Sequence, residues 1–395
     1  MPEGTDANRA AGPLSLFLVS HSYPPVLGGS EIEAQRVCAA LVRRGHNVTV
    51  LCAGGPPMPP IARWTDPFGV PVRILTRRSR GRFRDWVFAV SVAWTLFRER
   101  RNYRLVYFLM QGAHLATGLP MARWLGKPIV MKISGSSLAT LMRASWLGRL
   151  ELGWLNRWAR RVMVLNPGIA QEAVEAGIHR ERLFWMPNPI DTEEFAPCAP
   201  EARQAIRERF GIPAGAKAVL YVGRLAPEKE LPSLLGAFAT VAARLPEALL
   251  IFIGDGPCRQ ELETLTAKLG MEKRVRFAGR RPGEEICQWL QASDLFTLVS
   301  SNEGFPCSLS EAMACAIPSV VTDIPGSAQL IDDGAQGHVV PVKDEARLAE
   351  AIAGLLENPE RRARMGEAAR RRIVENYSTA KVLDRYERLF EDCRE

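Results

Sequence analysis

The sequence predicts an α/β protein of two domains, each a parallel sheet with helices on both faces. Three observations carry this reading. The chain has 395 residues, too long for a single core, so two domains of ordinary size are the natural division. Short apolar runs alternate with stretches of helical periodicity in both halves, the pattern of parallel strands buried on both faces. A stretch rich in Pro and acid, MPNPIDTEEFAPCAPEA (186–202), separates the halves and reads as a linker. The expected boundaries are a disordered tail at 1–12, a first domain at 13–190, a linker at 191–200, a second domain at 201–377 and a last helical segment at 378–395.

In the first half, LSLFLVS (14–20) is a strand that ends in the turn HSYPPVLGGS. EIEAQRVCAALVRRG (31–45) follows as a helix with Ile32, Val37, Ala40 and Leu41 inward and Gly45 as its C-cap. HNVTVLC (46–52), LVYFLM (105–110), PIVMKIS (128–134) and RVMVLN (161–166) are the next strands. The second half repeats the theme with strands at 218–223, 248–254, 275–279, 295–300, 318–323 and 337–342. Helices at 228–243 and 260–269 lie between them, and after Ala346 the chain reads as mostly helical.

Composition describes an ordinary soluble domain pair, with 47% apolar and 24% charged residues. The net charge of +8 is uneven: residues 1–195 hold 25 Lys/Arg against 14 Asp/Glu, and residues 196–395 hold 26 against 29. A basic first half points to an anionic partner such as phosphate or a membrane surface. The eight cysteines form no CxxC pair and no zinc spacing, which fits buried thiols in a reducing cytoplasm. The first twelve residues lack the pattern of a signal peptide, and the longest apolar run, 86–97, is too short to span a bilayer.

Ligands of open α/β sheets sit at the carboxyl ends of strands, and three stretches there have binding chemistry. In YPPVLGGSE, Gly28 and Gly29 let backbone approach an anion in front of a helix N-terminus; the same residues also suit a tight turn. In VGRLAPEKE (222–230), Arg224 and Lys229 can fork onto a diphosphate or stand as a solvated pair. In SSNEGFPCSLSEAMA (300–314), Gly304, Phe305 and Pro306 turn the chain into a helix starting near Cys307 or Ser308. That N-terminus suits a phosphate, with Glu303 and Glu311 on either side for sugar hydroxyls. A capping box of Ser308 with Glu311 is the plainer reading of the same residues. No DxD pair for a divalent metal and no GxxxxGK[ST] are present.

In order and spacing, these motifs resemble the family 4 glycosyltransferases over roughly 14–390. The carriers are the first-strand GG turn, VGRLAPEKE, IFIGDGP, VRFAG and SNEGFPCSLSEAMACAIPSVVTD, whose Glu303 and Glu311 form the family's E-x7-E signature. The resemblance implies the GT-B fold, two Rossmann-like domains facing across a cleft, with a last helix (382–392) returning to the first domain. It implies retaining glycosyl transfer from a UDP- or GDP-sugar with no cofactor and no metal. Arg224 and Lys229 would neutralise the departing diphosphate, Glu303 would hold the donor sugar and Glu311 the ribose. Gly28, Gly29 and the backbone of Gly304, Phe305, Pro306, Cys307 and Ser308 would line the phosphates, and Arg280 and Arg281 would lie near the base.

Three positions depart from the family pattern. Ser134-Gly135 stands where many members have His-Gly, leaving His114 or Ser134 as the sugar or acceptor contact. Lys229 is followed by Glu230 rather than glycine, and Ala316 replaces a glycine before the PSVV strand.

Two arginine-rich segments, 77–104 and 141–161, carry apolar stripes with tryptophan. Trp86, Val87, Val90, Trp94 and Phe97 fall within about 100° on a helix. Leu147, Leu150, Trp154 and Trp158 group likewise beside Arg143, Arg149, Arg157, Arg160 and Arg161. The pattern suits a helix lying in a membrane interface. The expectation is therefore a cytoplasmic enzyme held at the inner leaflet of the membrane, acting on a lipid-linked glycan. The alternatives are transfer to a small soluble acceptor, isomerisation or hydrolysis of the nucleotide-sugar, and non-catalytic sensing of it. Nucleic-acid binding ranks last, since no such motif is present.

Overall fold

The computed structural model describes residues 12–25, 29–54, 62–76, 82–109, 112–135 and 142–394. Gly28 and residues 1–11 of the expected tail lie outside these. The chain divides into two compact units: 1–164 with 169–186 and 383–395, and 165–168 with 187–382.

The first unit holds strands β1 (Ser15–Val19), β2 (Asn47–Ala53), β3 (Arg63–Thr65), β4 (Pro71–Thr76), β5 (Leu105–Leu109), β6 (Ile129–Ile133), β7 (Ala159–Val164) and β8 (Leu183–Trp185). They form one sheet in the order β3-β4-β2-β1-β5-β6-β7-β8. All neighbours are parallel except β3 with β4. The sequence reading missed β3, β4 and β8. β3 and β8 are three-residue edges, too short to show a period of two, and β4 pairs with β3 at that edge. Helices α1 (Gly29–Arg43), α2 (Arg82–Arg98), α3 (His114–Trp124) and α4 (Trp146–Trp158) accompany the sheet, and α5 (Pro167–Glu175) follows β7.

One element corrects the expected periodicity. Ile32 of α1 is only half-buried, whereas Glu33 is buried. Glu33 tolerates the core because its carboxylate accepts from Lys132 Nζ at 2.8 Å and Tyr386 Oη at 3.0 Å, and Lys132 is itself fully buried on β6. Tyr386 lies on the last helix, Thr379–Asp392. Its buried Val382, Leu383, Tyr386, Leu389 and Phe390 follow the helical period. Arg44 pairs with Asp384 and Glu387, and His46 bonds Glu387 at 2.8 Å. The segment 383–395 therefore packs within the first unit.

The second unit holds β9 (Lys217–Val222), β10 (Ala248–Ile253), β11 (Val275–Gly279), β12 (Leu295–Leu298), β13 (Ser319–Thr322) and β14 (Gly337–Val340). All pairings are parallel, in the order β11-β10-β9-β12-β13-β14. Its helices are α6 (Pro200–Arg209), α7 (Leu231–Arg244), α8 (Arg259–Lys268), α9 (Gly283–Ala292), α10 (Cys307–Ala314), α11 (Pro325–Ala328), α12 (Glu345–Glu357) and α13 (Pro359–Asn376), and the last helix of the chain is α14. The strand sequence reverses direction between β9 and β12, and in the first unit between β1 and β5. Such reversal points open a crevice at the carboxyl ends of the strands.

Candidate functional site

The crevice of the second unit is built from the loops after β9, β10 and β12. Gly223 N–H donates to Ile253 O at 2.9 Å, Leu225 N–H to Asp255 O at 3.1 Å and Cys258 N–H to Leu225 O at 3.0 Å. This stitching needs glycine. A Cβ on Gly254, at φ +134°, would stand 1.8 Å from Gly223 O, and one on Gly256 would stand 2.3 Å from Leu225 O. The glycines of GDGP thus serve close approach of two loops. Tyr221 Oη donates to Arg224 O at 3.0 Å and fixes the turn that carries the arginine.

The expected helix at 228–243 is interrupted. Pro227–Lys229 form one 3₁₀ turn, Glu230 takes a left-handed conformation (φ 45°), and α7 starts at Leu231. Ser301 N–H donates to Glu228 O at 2.9 Å and ties this turn to the loop after β12. The result is an ion pair between Lys229 Nζ and Glu303 Oε1, with side chains only 15% and 14% exposed. Ser300 Oγ donates to the same carboxylate oxygen at 2.8 Å.

Glu303 and Gly304 are held from behind. Asn166 Nδ2 donates to Glu303 O at 3.2 Å and Gly304 O at 2.6 Å. Gly326 lies so close that a Cβ there would be 2.5 Å from Glu303 O. Phe305 and Pro306 are buried, and Phe305 packs on Tyr377 at 6.0 Å. Pro306 is the N-cap of α10 and provides no side-chain cap; the first backbone bond of the helix is Ser310 N–H to Pro306 O at 3.1 Å. Ser308 is the second helical residue, so the capping-box reading does not hold. The N-terminus of α10 opens beside Glu303, with the half-buried Glu311 one turn along. Arg224 projects into solvent, its side chain 66% exposed and paired with Glu228.

Arg224, Lys229, Glu303, the 304–308 turn and Glu311 therefore gather at the carboxyl ends of β9 and β12. Arg280 and Arg281 are exposed after β11, beyond β10. Among the described residues no group of three metal-ligating side chains occurs.

In the first unit, Gly29 opens α1 after β1. His114 opens α3 after β5 and is fully buried, edge-on to Phe88 at 5.5 Å and stacked with Phe108 at 6.2 Å. Its ring packs between α2 and β5. Ser134 follows β6, and its buried hydroxyl has no hydrogen-bond partner among the described residues. The sequence reading missed two polar pairs after β1: His21 Nε2 with Asp85 Oδ1 at 3.1 Å, and Ser22 Oγ donating to Glu31 at 2.5 Å. HSYPP read only as a turn, and nothing local signals a partner 64 residues away. Asn166 was missed for the same reason.

Two departures from the family pattern acquire a physical meaning. Glu230 and Ala316 both have positive φ, 45° and 60°. Glycine is at home in that region, and a side chain there is strained.

Comparison with known proteins agrees with this geometry. Residues 202–372 match the family described as glycosyl transferases group 1, and residues 27–194 match Glycosyltransferase Family 4. The alpha-D-kanosaminyltransferase of Streptomyces kanamyceticus is 31% identical over 309 residues, 74% of this chain and 80% of that protein. The GDP-mannose-dependent alpha-mannosyltransferase of Mycobacterium tuberculosis is 29% identical over 90% of this chain and 91% of its own. The crystal structure of Anabaena HepE with UDP and glucose has a TM-score of 0.80 at 21% identity, covering 96% of this chain and 99% of that one. The two units have the GT-B architecture of such structures, and the chain belongs to the family 4 glycosyltransferases.

Proposed function

We propose that this glycosyltransferase moves a sugar from a UDP- or GDP-sugar to a lipid-linked glycan, with retention of configuration and without a bound metal, at the cytoplasmic face of the membrane. The observation that carries the donor half is the Lys229–Glu303 pair beside the proline-capped N-terminus of α10. A diphosphate seated there meets backbone N–H groups, the Lys229 ammonium and the Arg224 guanidinium. When the C1–O bond of the donor breaks, the electron pair goes to the leaving phosphate, and these fixed positive groups stabilise it. The acceptor hydroxyl oxygen forms the new bond to C1, and its proton passes to that phosphate oxygen. Glu303, already oriented by Lys229 and Ser300, holds sugar hydroxyls, and Glu311 holds the ribose.

Both donor bases have support: HepE was solved with UDP, and the mycobacterial relative is named as GDP-mannose-dependent. Retention is in keeping with the alpha-transfer that both relatives' names state. The fixed cations supply the charge that a divalent ion would otherwise bring. The test is a thermal-shift screen of UDP- and GDP-sugars, followed by transfer assays with and without EDTA. A ligand at 100 times its Kd adds about 2.7 kcal/mol, so a true donor gives a clear rise in Tm. Activity lost in EDTA and restored by Mg²⁺ or Mn²⁺ would overturn the metal-free mechanism. Free sugar or a rearranged nucleotide-sugar as the main product would overturn transfer itself.

A further inference from the structure

Helix α2 is apolar on two opposite faces. Phe88, Ala89, Val92 and Leu96 are buried against the first unit. Phe83, Trp86, Val87, Val90 and Trp94 lie on the other side, within about 100° of arc, and all are exposed, Trp86 by 51% and Trp94 by 60%. An ordinary packing helix spends its apolar residues on one stripe. The outer stripe here extends onto α3: Trp94 packs against Phe97 at 6.1 Å, Phe97 stacks on Trp124 at 5.9 Å, and Trp124 is 70% exposed. A continuous aromatic ridge thus stands in solvent.

The charge around the ridge has one sign. Arg98, Arg100, Arg101, Arg104 and Arg123 are exposed, and the Arg100 guanidinium lies over the Phe97 ring at 4.8 Å. The two described acids of this segment are both engaged: Asp85 with His21 and Arg84, and Glu99 with Arg73. Large aromatics edged by unopposed arginines match a bilayer interface, with rings at the acyl boundary and guanidinium groups among anionic phosphates. No described helix is long and apolar enough to cross a membrane, so this is a surface contact. The second arginine-rich segment contributes less: Trp146 and Leu150 of α4 are exposed, but Trp154 and Trp158 stack on each other and are half-buried.

We propose that the outer face of α2, with Trp124 of α3, is the surface by which this protein docks on an anionic lipid bilayer. The position of the face has a consequence for the acceptor. Asp85, in the first turn of α2, bonds His21 just past β1, at the strand-order reversal of this sheet. Docking through the ridge brings the carboxyl end of β1 to the headgroup layer, where an acceptor anchored in lipid presents its hydroxyl. This consequence rests on the lipid-linked acceptor proposed above; the docking face itself does not.

The experiment uses the full chain and phosphatidylcholine vesicles with or without about 30% phosphatidylglycerol. We expect sedimentation with the anionic vesicles, weakened by salt, and quenching of tryptophan emission by brominated acyl chains. Trp86→Ser with Trp94→Ser should lower the affinity at least about tenfold, given the apolar area removed, while Tm and the nucleotide-sugar thermal shift stay as in the wild type. Absence of binding to anionic vesicles, or wild-type binding by the double variant, would overturn the proposal. So would a concentration-dependent dimer that the same substitutions abolish, since a second copy would then own the face. Vesicle binding without any nucleotide-sugar response would sink the donor reading and leave this one standing.

Discussion

Removing Arg224 and Lys229 separately tests the leaving-group assignment, because the structure gives them unequal structural roles. Lys229 is nearly enclosed and neutralises Glu303. Lys229→Ala leaves a partly buried carboxylate with Ser300 as its remaining hydrogen-bond donor from this pair. An unsatisfied group of this kind costs about 1–3 kcal/mol, which lowers Tm by several degrees for a unit of this size, at about 2–4 °C per kcal/mol. Arg224 is 66% exposed and pairs with Glu228 four residues on. Such surface pairs contribute about 0.3–0.5 kcal/mol, so Arg224→Ala should leave Tm almost unchanged. Catalysis should respond alike to both. Losing one preorganised donor to a developing anion costs about 100- to 1,000-fold in kcat, or about 2.7–4 kcal/mol. The assay is release of nucleoside diphosphate at saturating donor, alongside thermal unfolding of each variant. Near-wild-type kcat in both variants would refute the assignment. A loss confined to Lys229→Ala and matched by its unfolded fraction would reduce Lys229 to a structural role.

Two further outcomes concern stability. Glu151 on α4 is buried, and desolvation pushes its carboxyl up to about 7. The folded state keeps that proton longer than the unfolded chain does, so stability should fall as pH rises from about 4.5 to about 7 and then level off. Glu151→Gln should flatten this slope and add about 1–3 kcal/mol at pH 8, read by urea unfolding at several pH values; an unchanged slope would place the titration elsewhere. Ala316 sits at φ 60°, where a side chain costs about 1–2 kcal/mol. Ala316→Gly recovers this less the extra freedom of glycine in the unfolded chain, so a net gain of about 0.5–1 kcal/mol is expected; a lower denaturation midpoint would mean that the methyl group packs usefully.

The fold class and the candidate residues after β9 and β12 were legible because they depend on local order along the chain. Apolar strands such as ALLIFI (248–253) and LVYFL (105–109) are buried over their whole length, so a continuous run is their signature. Glu303 and Glu311 bracket a turn and a helix start, which spacing alone shows. Sequence could not bring Lys229 to Glu303, 74 residues apart; that contact exists because the strand order sets β9 beside β12. Periodicity put Ile32 inward, but the buried partners Lys132 and Tyr386 draw Glu33 in instead. Sequence placed His114 just after a strand, and only the fold packs Phe88 and Phe108 around it. The same limit governs α2. Its residues are apolar on both sides, and a helical period has no sign that distinguishes the face toward a sheet from the face toward solvent. Only packing on the sheet and α3 decides that Phe88 and Val92 turn inward and that Trp86 and Trp94 stay outside.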